Sequence, residues 1–433
     1  MSWIIQVIFG DGLENYPDKG IIPNTFDILV ANPPYSVKAF KPHLKLKDNE
    51  FGILDQISNN GSEIETLFVE RISQLVKPNG IAAVILPVSI LSKDNSSFIS
   101  AREEILKNFQ IRAIVHLGKN TFGETGQPTV VLFLQKNNEP PKRIDLVADS
   151  VTAILEKQDL HDWEDDNILK GYLEQICVDI SLYNTFIKRT NHYTDWKNDT
   201  YFSTYYEQFI ASSEYTSKST QKAFNKLSDD EKMDWFDQRF YNYALSCEAE
   251  KLFYFALVYQ QKVAIITAPD DKKEEEIFLG YKWNGRKGQE GIQPLNPGGL
   301  LYNPNNREDN NTLSSVVKNS FLGKEVECAK LKEYYYYLRL QTMIDFTSFN
   351  FTKSIKTAKA RKMKNTPGLV NYKLNNKKWF DLSIGNRVLS TEVDPAGRFP
   401  IYSANVYEEF GKINSVCWTS CFSLLQATHT INL

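Results

Sequence analysis

Apolar and polar positions alternate along the first third of the chain in two different periods. Ile4 to Phe9 is a β-branched run closed by Gly10-Asp11-Gly12, and Asp27 to Ala31 is a second short apolar run stopped by Asn32-Pro33-Pro34. Ile64, Leu67, Phe68, Ile72 and Leu75 then recur at helical spacing and predict one buried helix face. After the turn residues Pro78-Asn79-Gly80, Ile81 to Pro87 is a continuous apolar strand of the kind buried in parallel sheets. A helix over Ser100 to Asn108, a strand over Ile111 to Leu117, a loop over Gly123 to Pro128 and a strand over Thr129 to Gln135 complete the set. Strands separated by helical periods imply βαβ units and a mostly parallel sheet. The last two strands lie too close for a helix between them, which makes that pair antiparallel.

Residues 137 to 260 read as mainly helical. Ser228 to Gln260 is the clearest long helix or helix pair, and Ser228 with Glu231 three residues on is a capping-box start. Gln261 to Thr267 reads as a strand, Asp270 to Glu276 as a charged loop, and Gln293 to Asn311 as a Gly/Pro/Asn-rich loop. Between Phe346 and Phe380 there are nine basic residues and no acidic one, among them Lys353, Lys356, Lys359, Arg361, Lys362 and Lys364. Pro367-Gly368 inside this stretch marks a linker.

Composition narrows the function classes. The 433 residues suggest two or three domains at roughly 150 residues each. A net charge of -3 excludes a wholly basic nucleic-acid coat protein while leaving room for a local basic patch. No apolar run approaches the ~18 residues of a membrane span, and Met1 to Phe9 has no secretory n-region. The five cysteines match neither a C-x-x-C redox pair nor a zinc site, so reduced thiols, a cytoplasmic location and no metal are expected.

The sharpest chemical signal is Asn32-Pro33-Pro34-Tyr35 directly after a buried strand, where ligands bind in open α/β sheets. The bland alternative is a rigid strand-ending turn. An adenine amino group is a poor nucleophile because its lone pair is delocalised into the ring. Hydrogen bonds from that amine to the Asn32 side-chain oxygen and the Pro33 carbonyl would localise the pair. The two prolines would hold that carbonyl in place without reorganisation. Tyr35 would stack on the base, and the base must leave the duplex to reach such a corner.

These residues resemble the N6-adenine DNA methyltransferases, specifically the modification subunit of type I restriction-modification systems. The resemblance rests on Gly10 to Leu13, Phe26 to Ser36, Lys77 to Val84 and Phe122 to Lys136, and continues through Phe278-Leu279-Gly280-Tyr281 and Arg286 to Ile292. It implies S-adenosylmethionine as cofactor, with Asp11 and Leu13 at its adenosyl part and Phe122 against the flipped base opposite Tyr35. Asp11 by itself is equally a turn cap, and Phe122 by itself reads as a core residue rather than a stacking platform, so its role rests on the resemblance. A second, shorter resemblance, from Trp379 to Asn405, is to the opening of the target-recognition domain of a type I specificity subunit. The basic stretch upstream of it would track DNA phosphates.

The implied fold is α/β: a partial Rossmann-like methyltransferase sheet lacking its first two strands, then a mainly helical region and an incomplete mixed α/β recognition segment. The corresponding domains are 1–140, 141–352, a basic linker at 353–378, and 379–433. The Gly-rich donor loop of the family has no counterpart, and Asp394-Pro395-Ala396-Gly397 is rejected as a displaced copy because Arg398-Phe399-Pro400 forbids a following helix. The sequence reads as clipped at both ends, so the isolated chain is expected to bind donor poorly and not to methylate DNA by itself. The expected partners are double-stranded DNA and specificity or restriction subunits, with no membrane. Two further readings stay open: a non-catalytic DNA-binding or assembly module, and an N-methyltransferase acting on glutamine amides in protein.

Overall fold

A computed structural model describes residues 7–47, 49–118, 121–122, 128–157, 167–288, 290–295, 298–358, 399–401 and 411–413. The chain divides into two compact units, Met1–Lys359 and Ala360–Leu433.

The first unit is built on a mixed sheet. Its strands are β1 (Phe26–Ala31), β2 (Val76–Pro87), β3 (Phe109–Leu117), β4 (Thr129–Lys136) and β5 (Lys262–Thr267). A hairpin of β6 (Tyr281–Asn284) and β7 (Gly291–Pro294) stands apart, and β8 (Tyr335–Arg339) returns to the sheet. The order is β1-β2-β4-β3-β5-β8. The β1/β2 and β3/β5 pairs are parallel, and β2/β4, β3/β4 and β5/β8 are antiparallel. The helices in chain order are α1 (Ile64–Leu75), α2 (Ser96–Asn108), α3 (Pro140–Leu155), α4 (Ile168–Ile176), α5 (Ile180–Ile187), α6 (Ser203–Ala211), α7 (Ser213–Ser219), α8 (Lys222–Asn225), α9 (Asp229–Val258), α10 (Lys272–Leu279), α11 (Leu313–Phe321) and α12 (Leu340–Met343).

Each strand expected between residues 26 and 136 is present, including the antiparallel β3/β4 pair, but the sheet is mixed rather than mostly parallel: β4 lies between β2 and β3 and pairs antiparallel with both, and β8 pairs antiparallel with β5. Pro78-Asn79-Gly80 forms an irregularity inside β2 rather than a break before it, with Asn79 at φ 62° absorbing the register shift against β1. The capping box at Ser228 and Glu231 opens α9 as expected. Three further expectations change. Residues 7–9 are not in a strand, and Val7 and Phe9 are in solvent: a β-branched run becomes a strand only when its backbone hydrogen-bonds to a neighbour, and no backbone hydrogen bond joins these three residues to another described one. Residues 4–6 lie outside the described set. The charged segment at Asp270 to Glu276 is mostly helix, because Asp271 caps α10 by accepting from the Lys273 and Glu274 N–H groups. The sheet does not end near residue 140 either, since β5 and β8 join β1 to β4 in it.

Nonlocal polar contacts fix the helical region and the strap that follows it. Glu248 on α9, fully buried, accepts hydrogen bonds from the hydroxyls of Tyr172, Tyr183, Tyr201 and Tyr205, and Lys251 donates to Tyr201 and Tyr205. The fully buried Arg102 donates to the carbonyls of Thr352 and Ile90, and Ile355 N–H bonds the Leu91 carbonyl at 2.7 Å. Residues 352 to 355 are thereby packed onto the α/β unit. Of the second unit the described residues form an antiparallel pair, β9 (Phe399–Ile401) with β10 (Gly411–Ile413). The expected recognition segment at 379–433 otherwise lies outside the described residues.

Candidate functional site

Register alone sets the arena. Because β2 runs parallel to β1, the carboxyl ends of both strands lie at one end of the sheet. Thr129 pairs with Pro87 and with Leu117, and His116 pairs with Thr267, so the β3–β4 loop and the exit from β5 open at that same end. Asn32 and Phe122 therefore share one end of the sheet. Phe122 sits on the loop joining β3 to β4, the strand two places from β1 and roughly 10 Å away.

At the corner itself Asn32 is exposed, Pro33 is buried, Pro34 is exposed and Tyr35 is half-buried. A buried proline anchors the backbone while the preceding amide side chain reaches solvent. The chain then leaves β1 sharply: Ser36 and Ala39 adopt left-handed backbone angles of φ 58° and 50°. Such angles are uncommon for residues with a Cβ and persist only where the surroundings enforce them. The restraint on Ser36 is its N–H, which donates to Glu65 Oε2 at 3.1 Å; Ala39 N–H donates to the Gly61 carbonyl at 2.9 Å. Glu65 lies in the first turn of α1 and is 2 % exposed. Burial raises its carboxyl pKa, and the Ser36 N–H works in the opposite direction. The motif reading missed Glu65. Its signal was an acidic residue three positions before Phe68, on a helix flank otherwise apolar.

Asp11 is exposed and caps its own turn, accepting from Leu13 N–H at 3.0 Å. Leu13 is a correction to the expected donor contact: its side chain is buried in the core at 1 % exposure and does not line the adjoining cavity. That cavity, about 360 Å³, runs along β1 and is lined by Gly10, Asp11, Gly12, Ile28 and Val30 among others. Its volume falls in the small-ligand range. A carboxylate facing an apolar strand wall suits a nucleoside, with Asp11 as hydrogen-bond acceptor and Ile28 and Val30 against a flat ring. These residues fit the adenosyl part of S-adenosylmethionine.

Phe122 is half-buried, and the residue before it is firmly held. Thr121 is buried, donates its hydroxyl to Glu275 Oε1 at 3.0 Å, and accepts on its carbonyl from the Tyr281 hydroxyl at 3.2 Å. Glu275, on α10, is 1 % exposed, and its carboxylate lies so close to Gly118 that a Cβ there would stand 2.2 Å from it. A side chain at 118 would therefore require the Glu275 carboxylate to move. Tyr281 belongs to the Phe278-Leu279-Gly280-Tyr281 motif: Phe278 is core, and Tyr281 pins the loop that carries Phe122.

The expected phosphate-tracking cations divide. Lys353 is a correction: it is 3 % exposed, ion-paired with Glu103 at 2.8 Å and with Glu250, and lies over the Tyr254 and Phe351 rings. A cation so engaged is not free for a phosphate. Lys356 is exposed and pairs with Asp345 at 3.2 Å. Lys359, Arg361, Lys362 and Lys364 lie outside the described residues. Among the described residues no helix is long and apolar enough to cross a membrane.

Comparison with known proteins gives one family and several partial structural likenesses. A family described as N-6 DNA Methylase matches residues 4–224. Among solved structures, a type I restriction-modification methyltransferase subunit from Streptococcus thermophilus is 27 % identical, with 27 % of this chain and 24 % of that chain covered and a TM-score of 0.21. A modification subunit of a putative type I restriction enzyme from Vibrio vulnificus is 27 % identical over 25 % of this chain and 22 % of that one, with a TM-score of 0.20. The M protein of the type I restriction enzyme EcoKI is 22 % identical over 29 % and 23 %, with a TM-score of 0.23. The match spans about a quarter of the length of these structures. No curated protein matches the chain.

Proposed function

The chain belongs to the N-6 DNA methylase family, and from that premise we propose that it transfers a methyl group to N6 of an adenine extruded from duplex DNA, within a restriction-modification system. The observation that carries this reading is the corner at the end of β1: an exposed Asn32 amide beside a buried Pro33, held by Glu65 through Ser36.

The chemistry follows from that corner. The Asn32 side-chain oxygen and the Pro33 carbonyl accept from the two amino protons of the base, pulling electron density onto nitrogen as it begins to form its new bond. Pro33 and Pro34 fix their own φ angles, so both acceptors are oriented before the substrate arrives. Tyr35 and Phe122 hold the ring by stacking, each contact worth ~1–3 kcal/mol. Asp11, with the Ile28 and Val30 wall, would hold S-adenosylmethionine, which when bound would supply an electrophilic methyl group, its sulfur keeping the electron pair of the broken bond as a neutral thioether. As the amine attacks, its surplus proton passes toward the Asn32 and Pro33 oxygens and on to solvent. Double-stranded DNA and the specificity or restriction subunits of such a system are the partners this reading assigns.

The test is transfer of labelled methyl from S-adenosylmethionine to DNA free of N6-methyladenine, followed by digestion to nucleosides. The chain by itself, which is expected to bind donor poorly, should transfer little or no label; completed with a Gly-rich donor loop it should place label in N6-methyladenosine, and that label should fall at least 100-fold in Asn32→Ala. Label in protein glutamine, label independent of Asn32, or no transfer by the completed chain would overturn the assignment.

A further inference from the structure

The Arg286 to Ile292 motif is not used by the corner at Asn32, yet it stands on the same end of the molecule. It forms the tip and returning strand of the β6–β7 hairpin, whose register pairs Tyr281 with Pro294, Lys282 with Gln293, and Trp283 with Ile292. Leu295 N–H closes the base on the Gly280 carbonyl at 2.8 Å. Alternate residues of a strand share a face. Tyr281, Trp283 and Ile292 therefore lie on one side of the hairpin, and the Tyr281 hydroxyl on that side bonds the Thr121 carbonyl. The surface that begins at Thr121 and Phe122 continues outward as Trp283, 47 % exposed, and Ile292, 59 % exposed.

Charge accompanies this apolar pair. Lys282, Arg286 and Lys287 are exposed and have no ion pair among the described residues. The nearby acid, Glu290, turns its carboxylate onto Gly288 N–H at 2.8 Å. Gly288 is left-handed, φ 81°, and a Cβ there would meet nothing within 4 Å, so the tip projects into solvent with its backbone open. A projecting hairpin with exposed cations at its tip that pair with no acid among the described residues, and an aromatic–aliphatic pair on its flank, complements a polyanion that also offers flat or apolar edges. An acidic protein surface would match the cations but gives no reason for the tip to stand beside the Phe122 loop.

We propose that the β6–β7 hairpin is a duplex-DNA contact element: Arg286 and Lys287 lie on the phosphate backbone, and Trp283 with Ile292 abuts the duplex flanking the base held by Tyr35 and Phe122. The proposal rests on the reading of the chain as a DNA methylase, and Tyr281 is the tether that keeps the hairpin in step with the loop carrying Phe122.

The experiment is anisotropy titration of a labelled duplex of about 20 base pairs with the full chain, across a series of salt concentrations. The Arg286→Gln/Lys287→Gln variant should bind roughly tenfold more weakly at low salt, irrespective of sequence. Its log–log salt slope should be shallower by about 2, close to one unit per lost phosphate contact. Trp283→Ala should weaken binding without changing that slope. All three positions are exposed, so circular dichroism melts should match the parent chain. Unchanged affinity and slope in the double variant, an altered oligomeric state in Trp283→Ala with DNA binding intact, or no duplex binding by the parent would each overturn the proposal. Failure here is separable from failure of the catalytic reading, because Asn32→Ala is expected to bind the duplex normally while losing methyl transfer.

Discussion

The Ser36 backbone N–H donates to the buried Glu65 carboxylate at 3.1 Å, joining the residue after Tyr35 to the first turn of α1. Ser36 is left-handed, and this bond is one of the contacts that hold it so. Glu65 thus acts at one remove from the substrate, as a positioning residue for the Asn32–Tyr35 corner.

Glu65→Gln keeps an acceptor oxygen for Ser36, whereas Glu65→Ala removes it. The alanine variant should lose about 1 kcal/mol of unfolding free energy, the net worth of one hydrogen bond. In a chain completed with a donor loop its methyl transfer should fall by tenfold or more, since small displacements of a reacting corner are costly in rate. The glutamine variant should recover most of the rate. Urea denaturation and the methyl-transfer assay, run on the same preparations, check both arms.

Lys353 separates packing from DNA contact. Lys353→Met keeps the aliphatic stem over Tyr254 and Phe351 but leaves Glu103 and Glu250 without their shared cation. Both carboxylates are partly exposed, so the loss should be about 1–3 kcal/mol rather than the larger figure for a fully buried pair. The salt slope of DNA binding should not move. A change in that slope with unaltered stability would restore Lys353 to the phosphate-tracking role.

His116, at the end of β3, has a pKa lowered from its ordinary value of 6.5 by burial, and its Nε2 has no partner among the described residues. The unfolded chain therefore takes up the proton more readily than the folded one. Stability from this group is complete above about pH 6.5 and is lost as pH falls through and below that value. His116→Phe should flatten the decline in melting temperature between about pH 6.5 and 5. An identical decline in both proteins would show that His116 is not its source.

Local patterning determined much of this protein. Apolar runs and helical spacing marked β1 to β4, α1 and α2, the capping box marked α9, and Asn32-Pro33-Pro34-Tyr35 was identifiable at a strand end, because periodicity, capping and proline geometry act within a few residues of sequence. Only the tertiary structure decided that β5 and β8 extend the same sheet, that Val7 to Phe9 lie outside it, and that Lys353 is buried between two carboxylates. It also joined Glu65 to Ser36, and Glu275 and Tyr281 to Thr121. These contacts link residues 29 to 160 positions apart. A carboxylate or ammonium becomes a buried strut rather than a solvated charge according to which distant element closes over it, and no local pattern carries that information.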